Sequence, residues 1–322
     1  MTGDLRSELA AARQTLRESY LRRPNPRALL TEHCQLIDRT VTAAWNEIAT
    51  VRDAALVATG GYGRGELYPS SDIDLLVLLG GDPTEAEREA LERLIGRFWD
   101  IGLEIGHSVR TVPDCIEASA GDITVRTTLL EARHLTGSRT LFKKLVSELH
   151  KNLDPVAFFK AKKLEQEQRH AKHQDTPYSL EPNLKEAPGG LRDLQVIQWI
   201  ARASGMGRRW ADLVAHGLIE RGEARQLAQL EGHLQDLRIR LHYLAGRRED
   251  RLVFDLQSAL AKQLGHKDTP SRRASEAMMQ RYYQTAKVVT QLNTILLQNL
   301  EARLAPRPDT PPRACTGPRS RL

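Results

Sequence analysis

Apolar residues recur along this chain with two different spacings, which separate a mixed first half from a helical second half. Two short segments, 54–59 and 73–79, are almost entirely apolar, as buried strands are. A third segment, 102–111, alternates polar and apolar positions with the period of a strand. Around these segments apolar residues return every three or four positions, as on one face of a helix. The pattern predicts a small mixed sheet flanked by helices.

After about residue 137 no strand pattern remains, and helices account for all the apolar positions. Asp154 followed by Pro155 is a strong helix start, because Asp caps the first turn and Pro suits the first helical position. We therefore predict an α+β fold class. Its expected parts are N-terminal helices over 1–50, a sheet domain over 51–150, a helical domain over 151–304 and a disordered, proline-rich tail over 305–322.

Composition narrows the classes of partner and compartment. The 322 residues are 40% hydrophobic and 27% charged, which is ordinary for a folded domain without membrane spans. Three scattered cysteines without metal spacing indicate a reducing, cytoplasmic setting. Half of the net charge of +6 lies in residues 301–322, where five arginines face two acids. A nucleic-acid partner is therefore not expected, since no basic patch is interleaved with aromatic residues.

The strongest chemical signal lies between the first two predicted strands. Gly60 and Gly61 end the first strand, and residues without Cβ let backbone N–H groups approach a phosphate closely. Asp72 and Asp74 open the second strand and, two residues apart, project to the same side. Two close carboxylates repel each other unless a hard cation such as Mg²⁺ lies between them. The arrangement predicts phosphoryl or nucleotidyl transfer.

A third acid would complete such a metal site. Glu104 lies on the polar face of the third predicted strand and is the first choice, as a metal ligand or a general base, with Glu131 as the alternative. A solvated edge strand explains the same polar face without any function. His107 lies on the apolar face and is expected to be a hydrogen-bonded core residue. His170 and His173 are one helical turn apart, but no third ligand is near them in sequence.

Three motifs carry a resemblance to a known family. Gly60-Gly61 followed by Asp72-X-Asp74 resembles the nucleotidyltransferase superfamily that includes DNA polymerase β. The longer string over 60–76, together with strings at 103–111 and 183–193, is similar to the N-terminal part of the PII uridylyltransferase/uridylyl-removing enzyme family. The resemblance runs from about residue 25 to about residue 303.

The resemblance implies a Mg²⁺-dependent uridylyltransferase that moves UMP from UTP to a tyrosine of the PII nitrogen-signalling protein. Residues 51–150 would form the nucleotidyltransferase domain. The roles expected under this reading are metal binding and catalysis by Asp72, Asp74 and Glu104, nucleotide binding by Gly60, Gly61, Arg64 and Ser71, and substrate contacts by Lys185 and Arg192.

Several alternatives stay open. The acceptor could be an RNA end or a small molecule, and the chain could be a remnant that binds nucleotide or PII without turnover. Enzymes of the family carry a His-Asp phosphohydrolase domain and two ACT domains, whereas this sequence has no His-Asp dipeptide and no βαββαβ pattern. We therefore expect a truncated chain without UMP removal or glutamine sensing.

Overall fold

The computed structural model describes residues 2–48, 51–173 and 176–305. Within these ranges an N-terminal pair of helices leads into a sheet region, and helices alone follow. The elements of the first half are α1 (Thr2–Arg22), α2 (Pro26–Ile48), β1 (Ala54–Ala58), α3 (Gly60–Arg64), β2 (Ile73–Leu79), α4 (Glu85–Ile101), β3 (Ile105–Thr111), α5 (Val112–Gly121), α6 (Ile123–Leu130), β4 (Arg133–Gly137) and α7 (Arg139–Lys151). The elements of the second half are α8 (Pro155–Lys172), α9 (Leu191–Ala203), α10 (Trp210–Ala215), α11 (Arg221–Ala245), α12 (Phe254–Gln263) and α13 (Ala274–Leu304).

The four strands form one mixed sheet in the order β3-β2-β1-β4. β1 is antiparallel to both β2 and β4, while β2 and β3 run parallel with Asp74 paired to Gly106. The parallel pair is possible because α4 carries the chain back across the sheet. The predicted α+β class is confirmed.

Each face of the sheet is buried by a different set of helices. Leu75 and Val77 of β2 pack with residues of α1, α2 and α4. Leu76 and Leu78 point the other way and pack with residues of α5, α6 and α7. Since side chains alternate along a strand, Asp74 shares the second face with Leu76. Both faces of β2 are therefore committed to cores, and Asp74 is the residue of β2 that is not fully buried.

A third core lies in the helical half and extends to the N-terminal helices. It is built mainly from α9, α11 and α13 and includes Tyr20 of α1 and Leu30 of α2. Tyr20 donates a hydrogen bond from its hydroxyl to Asp236 of α11. The N-terminal helices thus pack on the sheet and on the helical half at once. The domain boundaries given above stay a prediction.

Three details differ from the sequence analysis. The helix α4 runs to Ile101 and ends at Gly102, whose φ of +86° is suited to glycine, so β3 begins at Ile105 and Glu104 precedes it. His107 is exposed rather than buried, because β3 is an edge strand. Trp99, one of the apolar residues whose helical spacing between the second and third segments predicts a buried helix face, is 61% exposed.

No helix in the described part of the chain is both long and apolar enough to cross a membrane. Residues 306–322, the greater part of the predicted disordered tail, lie outside the described residues.

Candidate active site

The corner between β1 and α3 is shaped around one carboxylate. β1 is buried along its whole length, and the backbone N–H of Thr59 donates to the carbonyl of Asp74 at 3.0 Å. Gly60 follows with a φ of +56°, and a Cβ built on it would lie 2.8 Å from Oδ2 of Asp74. Ordinary van der Waals contacts begin at about 3.4 Å. Only glycine therefore lets the chain turn this closely against the Asp74 carboxylate.

Asp72 and Asp74 act on each other, as their spacing predicted. Burial raises the pKa of Asp74, and the charge of Asp72 raises it further. The side chain of Asp72 is half-exposed, at 51%. Lys185 and Arg248 oppose the shift by lowering the pKa of Asp74. A half-buried carboxyl with a perturbed pKa beside a second acid is typical of a functional site.

The two cations come from the helical half of the chain. Arg248 Nη1 lies 2.6 Å from Oδ2 of Asp72, across 176 residues of sequence. Lys185 lies on the loop before α9, and burial, together with Arg192 and Arg238, lowers its pKa to about 8. Lys185 was a predicted substrate contact, whereas Arg248 was missed. The helical spacing of apolar residues predicts one helix over 221–248, but α11 ends at Ala245, and Gly246, with φ +65°, releases Arg248 into a loop.

A buried hydrogen-bond network holds the aspartate-bearing loop against α11. The backbone N–H of Ser70 donates to Nδ1 of His242 at 3.3 Å, and Nε2 of His242 lies 3.2 Å from Oδ1 of Asp250. Because Nδ1 accepts, the imidazole proton is assigned to Nε2, which donates to Asp250. Arg238 Nε donates to the same oxygen at 2.6 Å. The chain segment before Asp72 is thus fixed to the helical half.

Asp250 also fixes the loop that carries Lys185. Its backbone carbonyl accepts from the N–H of Leu184 at 2.7 Å, and Leu252 donates to the carbonyl of Pro182 at 2.9 Å. Burial raises the pKa of Asp250, but hydrogen bonds from His242 and Arg238 outweigh it and hold that pKa well below its usual range. Asp250 therefore stays ionised and organises both loops. The charged run that contains it, 247–251, was the signal available in the sequence.

The two candidates for a third acid are placed differently. Glu104 is exposed, and its backbone carbonyl accepts from Ile73 N at 3.0 Å, which places its backbone beside the aspartates. Its charge acts on Arg13 of α1 and is not among the principal charges that act on Asp74. Glu131 is only 3% exposed and raises the pKa of Asp74 slightly, but it accepts hydrogen bonds from Arg64 and Trp199. The role of Glu104 stays a prediction.

The other predicted nucleotide contacts surround this corner. Arg64 pairs with Glu66 and Glu131, and the two acids outweigh the effect of burial and raise its pKa. Its guanidinium is thus already committed, and a phosphate would have to compete for it. Gly61 follows Gly60 directly in α3. Ser71 donates its N–H to the carbonyl of Tyr68 at 3.1 Å, two residues before the strand.

Arg192 and the histidine pair belong to the neighbouring structural network. Arg192, at the start of α9, has its Nη2 atom 3.0 Å from Oε1 of Glu186 in the preceding loop. His170 Nε2 lies 2.8 Å from Oδ1 of Asp193, which is fully buried. Among the residues that the structure describes, no group of three or more His, Cys, Asp or Glu side chains could hold a metal ion. His170 is thus part of the hydrogen-bond network around the buried Asp193.

Both halves of the chain match families of known proteins. Residues 41–106 match the nucleotidyltransferase domain, and residues 157–297 match the GlnD PII-uridylyltransferase family. The bifunctional uridylyltransferase/uridylyl-removing enzyme of Bordetella parapertussis is 53% identical over 306 residues, which are 95% of this chain and 35% of that enzyme. Those of Cupriavidus metallidurans and Burkholderia lata are 53% and 54% identical over 94% of the chain and 35% of each enzyme.

This chain belongs to the PII-uridylyltransferase family. It spans about a third of the length of the curated relatives that it matches. The nucleotidyltransferase match contains Gly60, Asp72, Asp74 and Glu104, and the second match contains Lys185 and Arg248. The residues that meet at the corner of β1 and β2 thus come from both matched regions.

Proposed function

We propose that this chain is a Mg²⁺-dependent uridylyltransferase that transfers UMP from UTP to a tyrosine of PII. One observation carries the proposal: Asp74 lies against Gly60, beside Asp72, and faces Lys185 and Arg248 from the helical half. Such a pair of acids opposed by two cations suits a metal-bound triphosphate. The nucleobase and the acceptor are supported by the names of the relatives, which are uridylyltransferases.

The donor set fits magnesium. Mg²⁺ commonly binds one or two carboxylates and completes its shell with water and substrate phosphates. Asp72 and Asp74 supply two carboxylates, and the absence of a Cβ at Gly60 leaves the Asp74 carboxylate open to that corner. The Arg248 guanidinium pairs with Asp72, which is consistent with a concentration of negative charge at this position. When bound, Mg²⁺ would neutralise the triphosphate and act as a Lewis acid at phosphorus.

The chain's own residues then position and balance the reactants. In the transfer, a tyrosyl oxygen forms a bond to the α-phosphorus of UTP, the bond to pyrophosphate breaks, and the tyrosyl proton leaves. Asp72 and Asp74 would hold the metal, while Lys185 and Arg248 balance charge that develops on the departing pyrophosphate. Glu104, beside the aspartates and exposed, is the proposed acceptor of the tyrosyl proton.

The test is incubation of the chain with Mg²⁺, UTP and purified PII, read by intact mass. We expect a mass increase equal to one UMP on PII, and its loss in Asp72→Asn and in Asp74→Asn. Asp82→Asn is the matched control, because Asp82 is an exposed acid in the loop after β2. Transfer that persists in either aspartate variant would contradict the assignment. Competition among labelled UTP, ATP and CTP, with and without PII, separates this proposal from a transferase with another acceptor.

A non-catalytic role is the second candidate, and the ion pair between Arg248 and Asp72 favours it. With its nitrogen 2.6 Å from the carboxylate oxygen, the guanidinium occupies a position that a metal ligand must leave open. In that case the chain would bind Mg-UTP in calorimetry and release no pyrophosphate. Release of pyrophosphate in step with UMP attachment would exclude this candidate.

A further inference from the structure

A large cavity borders the end of α3 and does not include the aspartates of the candidate active site. Its volume is about 1550 Å³, and its walls come from α2, α9, α10 and α11, with the end of α3 at one side. Asp72, Asp74, Gly60 and Arg248 are not among the residues that line it. Small-molecule sites usually measure about 300–1,000 Å³, so this cavity has room for a ligand and its water.

The walls of this cavity carry more arginine side chains than acidic side chains that could neutralise them. Arg64 and Arg133 on the wall are paired with acids, Arg64 with Glu131 and Arg133 with Asp38. Other wall arginines make no ion pair with any residue in 2–48, 51–173 or 176–305. These are Arg27, Arg202, Arg208, Arg221 and Arg225.

Arg202 is a half-buried cation on the wall that has no ion-pair partner among the described residues. It is half-buried on the last turn of α9, and its side chain donates no hydrogen bond to a described residue. Burial lowers its pKa, and the charge of Arg208 lowers it further. Glu131 opposes this effect, but Glu131 is already bonded to Arg64 and Trp199. Arg202 and Arg208 thus lie near enough to repel each other, and neither has an ion-pair partner among the described residues.

Two acids remain on the wall, and Glu66 is already paired with Arg64, so only Glu231 could cancel this charge. Glu231 accepts hydrogen bonds from Trp210 at 2.9 Å and from Gln198 at 3.3 Å. Burial and the nearby charge of Glu66 raise the pKa of Glu231 to about 7. Near neutral pH this carboxyl is therefore partly protonated and contributes less than one negative charge.

We propose that the cavity between α2, α9, α10 and α11 is a binding site for a small polyanion, held by Arg202 and Arg208. Guanidinium groups bind phosphate and carboxylate oxygens through paired, charge-assisted hydrogen bonds, which makes both anion types suitable ligands. The site is separate from the proposed transfer reaction, which uses neither of these two arginines. The ligand class is therefore a compound with two or more phosphate or carboxylate charges.

The wall of the cavity also touches the network near the candidate active site. The indole of Trp199 lines the cavity, and its ring centroid lies 5.1 Å from the guanidinium carbon of Arg192. Trp210 lines the cavity as well. An anion bound by Arg202 would change the surroundings of these two indoles, so tryptophan fluorescence reports on its binding directly.

The test titrates the 322-residue chain with pyrophosphate and, separately, with citrate, in EDTA so that no divalent metal is available. Binding is followed by tryptophan fluorescence and by calorimetry. We expect saturable binding of at least one of the two anions. Tighter binding of pyrophosphate would identify a phosphate ligand, and tighter binding of citrate a polycarboxylate ligand.

Variants locate the bound anion. Arg208→Gln, at an exposed position, should raise the dissociation constant at least tenfold and leave the melting temperature unchanged. Arg202→Gln should do the same, with its fold checked by thermal melting. Arg93→Gln, on the exposed side of α4, is the matched control and should bind as the wild type does. The proposal is overturned if neither anion binds saturably, if both cavity variants keep full affinity, or if Asp74→Asn abolishes the binding.

Discussion

Gly60→Ala tests whether the close approach of the corner between β1 and α3 to the Asp74 carboxylate matters for uridylyl transfer. The added Cβ would lie 2.8 Å from Asp74 Oδ2, and an ordinary contact begins at 3.4 Å. The difference, 0.6 Å, is the distance that the carboxylate or the corner must move. Since misplacement of a reacting group by about 1 Å can cost about 10²-fold in rate, we expect uridylyl transfer to fall by roughly 10–10²-fold.

The same change also strains the backbone, and this part needs its own control. Gly60 has a φ of +56°, where an L-residue costs about 1–2 kcal/mol. Gly217 has a φ of +66°, and a Cβ there would meet no atom within 4 Å. Gly217→Ala therefore carries the backbone strain without the contact with Asp74. We expect both variants to lower the melting temperature through this strain, by about 2–4 °C per kcal/mol, and Gly60→Ala to lose more because its Cβ also meets Asp74.

The assay measures initial rates of UMP attachment to PII by intact mass for both variants, with Mg-UTP binding by calorimetry as a second readout. Only Gly60→Ala should lose transfer beyond what its lost stability explains. If the two alanine variants transfer UMP equally fast, then the contact between Gly60 and Asp74 has no part in catalysis. If Gly60→Ala binds Mg-UTP as the wild type does, the carboxylate has not moved and the geometric argument fails.

Three further predictions concern ionisable side chains elsewhere in the fold and at the site. Arg248→Ala should weaken UTP binding at least tenfold in calorimetry, while the control variant Arg247→Ala should not. The loss of stability should be small, since a half-exposed ion pair contributes about 0–1 kcal/mol. Equal affinities of the two variants would contradict the role of Arg248. Asp250→Ala leaves Arg238 buried without its partner and should cost about 3–5 kcal/mol in urea unfolding, and a loss below about 1 kcal/mol would refute this. Burial lowers the pKa of His33 to about 4, so this imidazole is neutral in the fold, and protonation of the unfolded chain removes stability as the pH falls from about 6.5 to about 4. The full loss is roughly 3 kcal/mol, and His33→Gln should flatten the dependence in unfolding curves across this range; an unchanged slope would count against it.

Local sequence patterns were sufficient for most of the secondary structure. The apolar runs at 54–59 and 73–79 became β1 and β2, because a strand buried on both faces has few polar positions. Asp154 and Pro155 begin α8 as predicted, with the Asp154 carboxylate accepting from two backbone N–H groups. These features depend on neighbours only a few residues away, and the sequence shows those neighbours directly.

The strand at 105–111 shows where local reasoning ends. Its alternation was visible, but its position at the edge of the sheet depends on which strands pair, and this left His107 exposed. The same limit applies to Glu131, whose pairing with Arg64 and Trp199 joins segments 67 and 68 residues apart. Side chains of this kind find their partners only when distant elements pack.

By itself, the sequence determined that two acids, Asp72 and Asp74, lie two residues apart at the start of a strand that follows a glycine corner, because the local apolar pattern marks that strand. The tertiary structure alone decided which cations face those acids. Arg248 reaches Asp72 across 176 residues, and it does so because α11 ends at Gly246 and the network around Asp250 fixes the loops. No local pattern encodes that meeting, since it results from the packing of the helical half on the sheet.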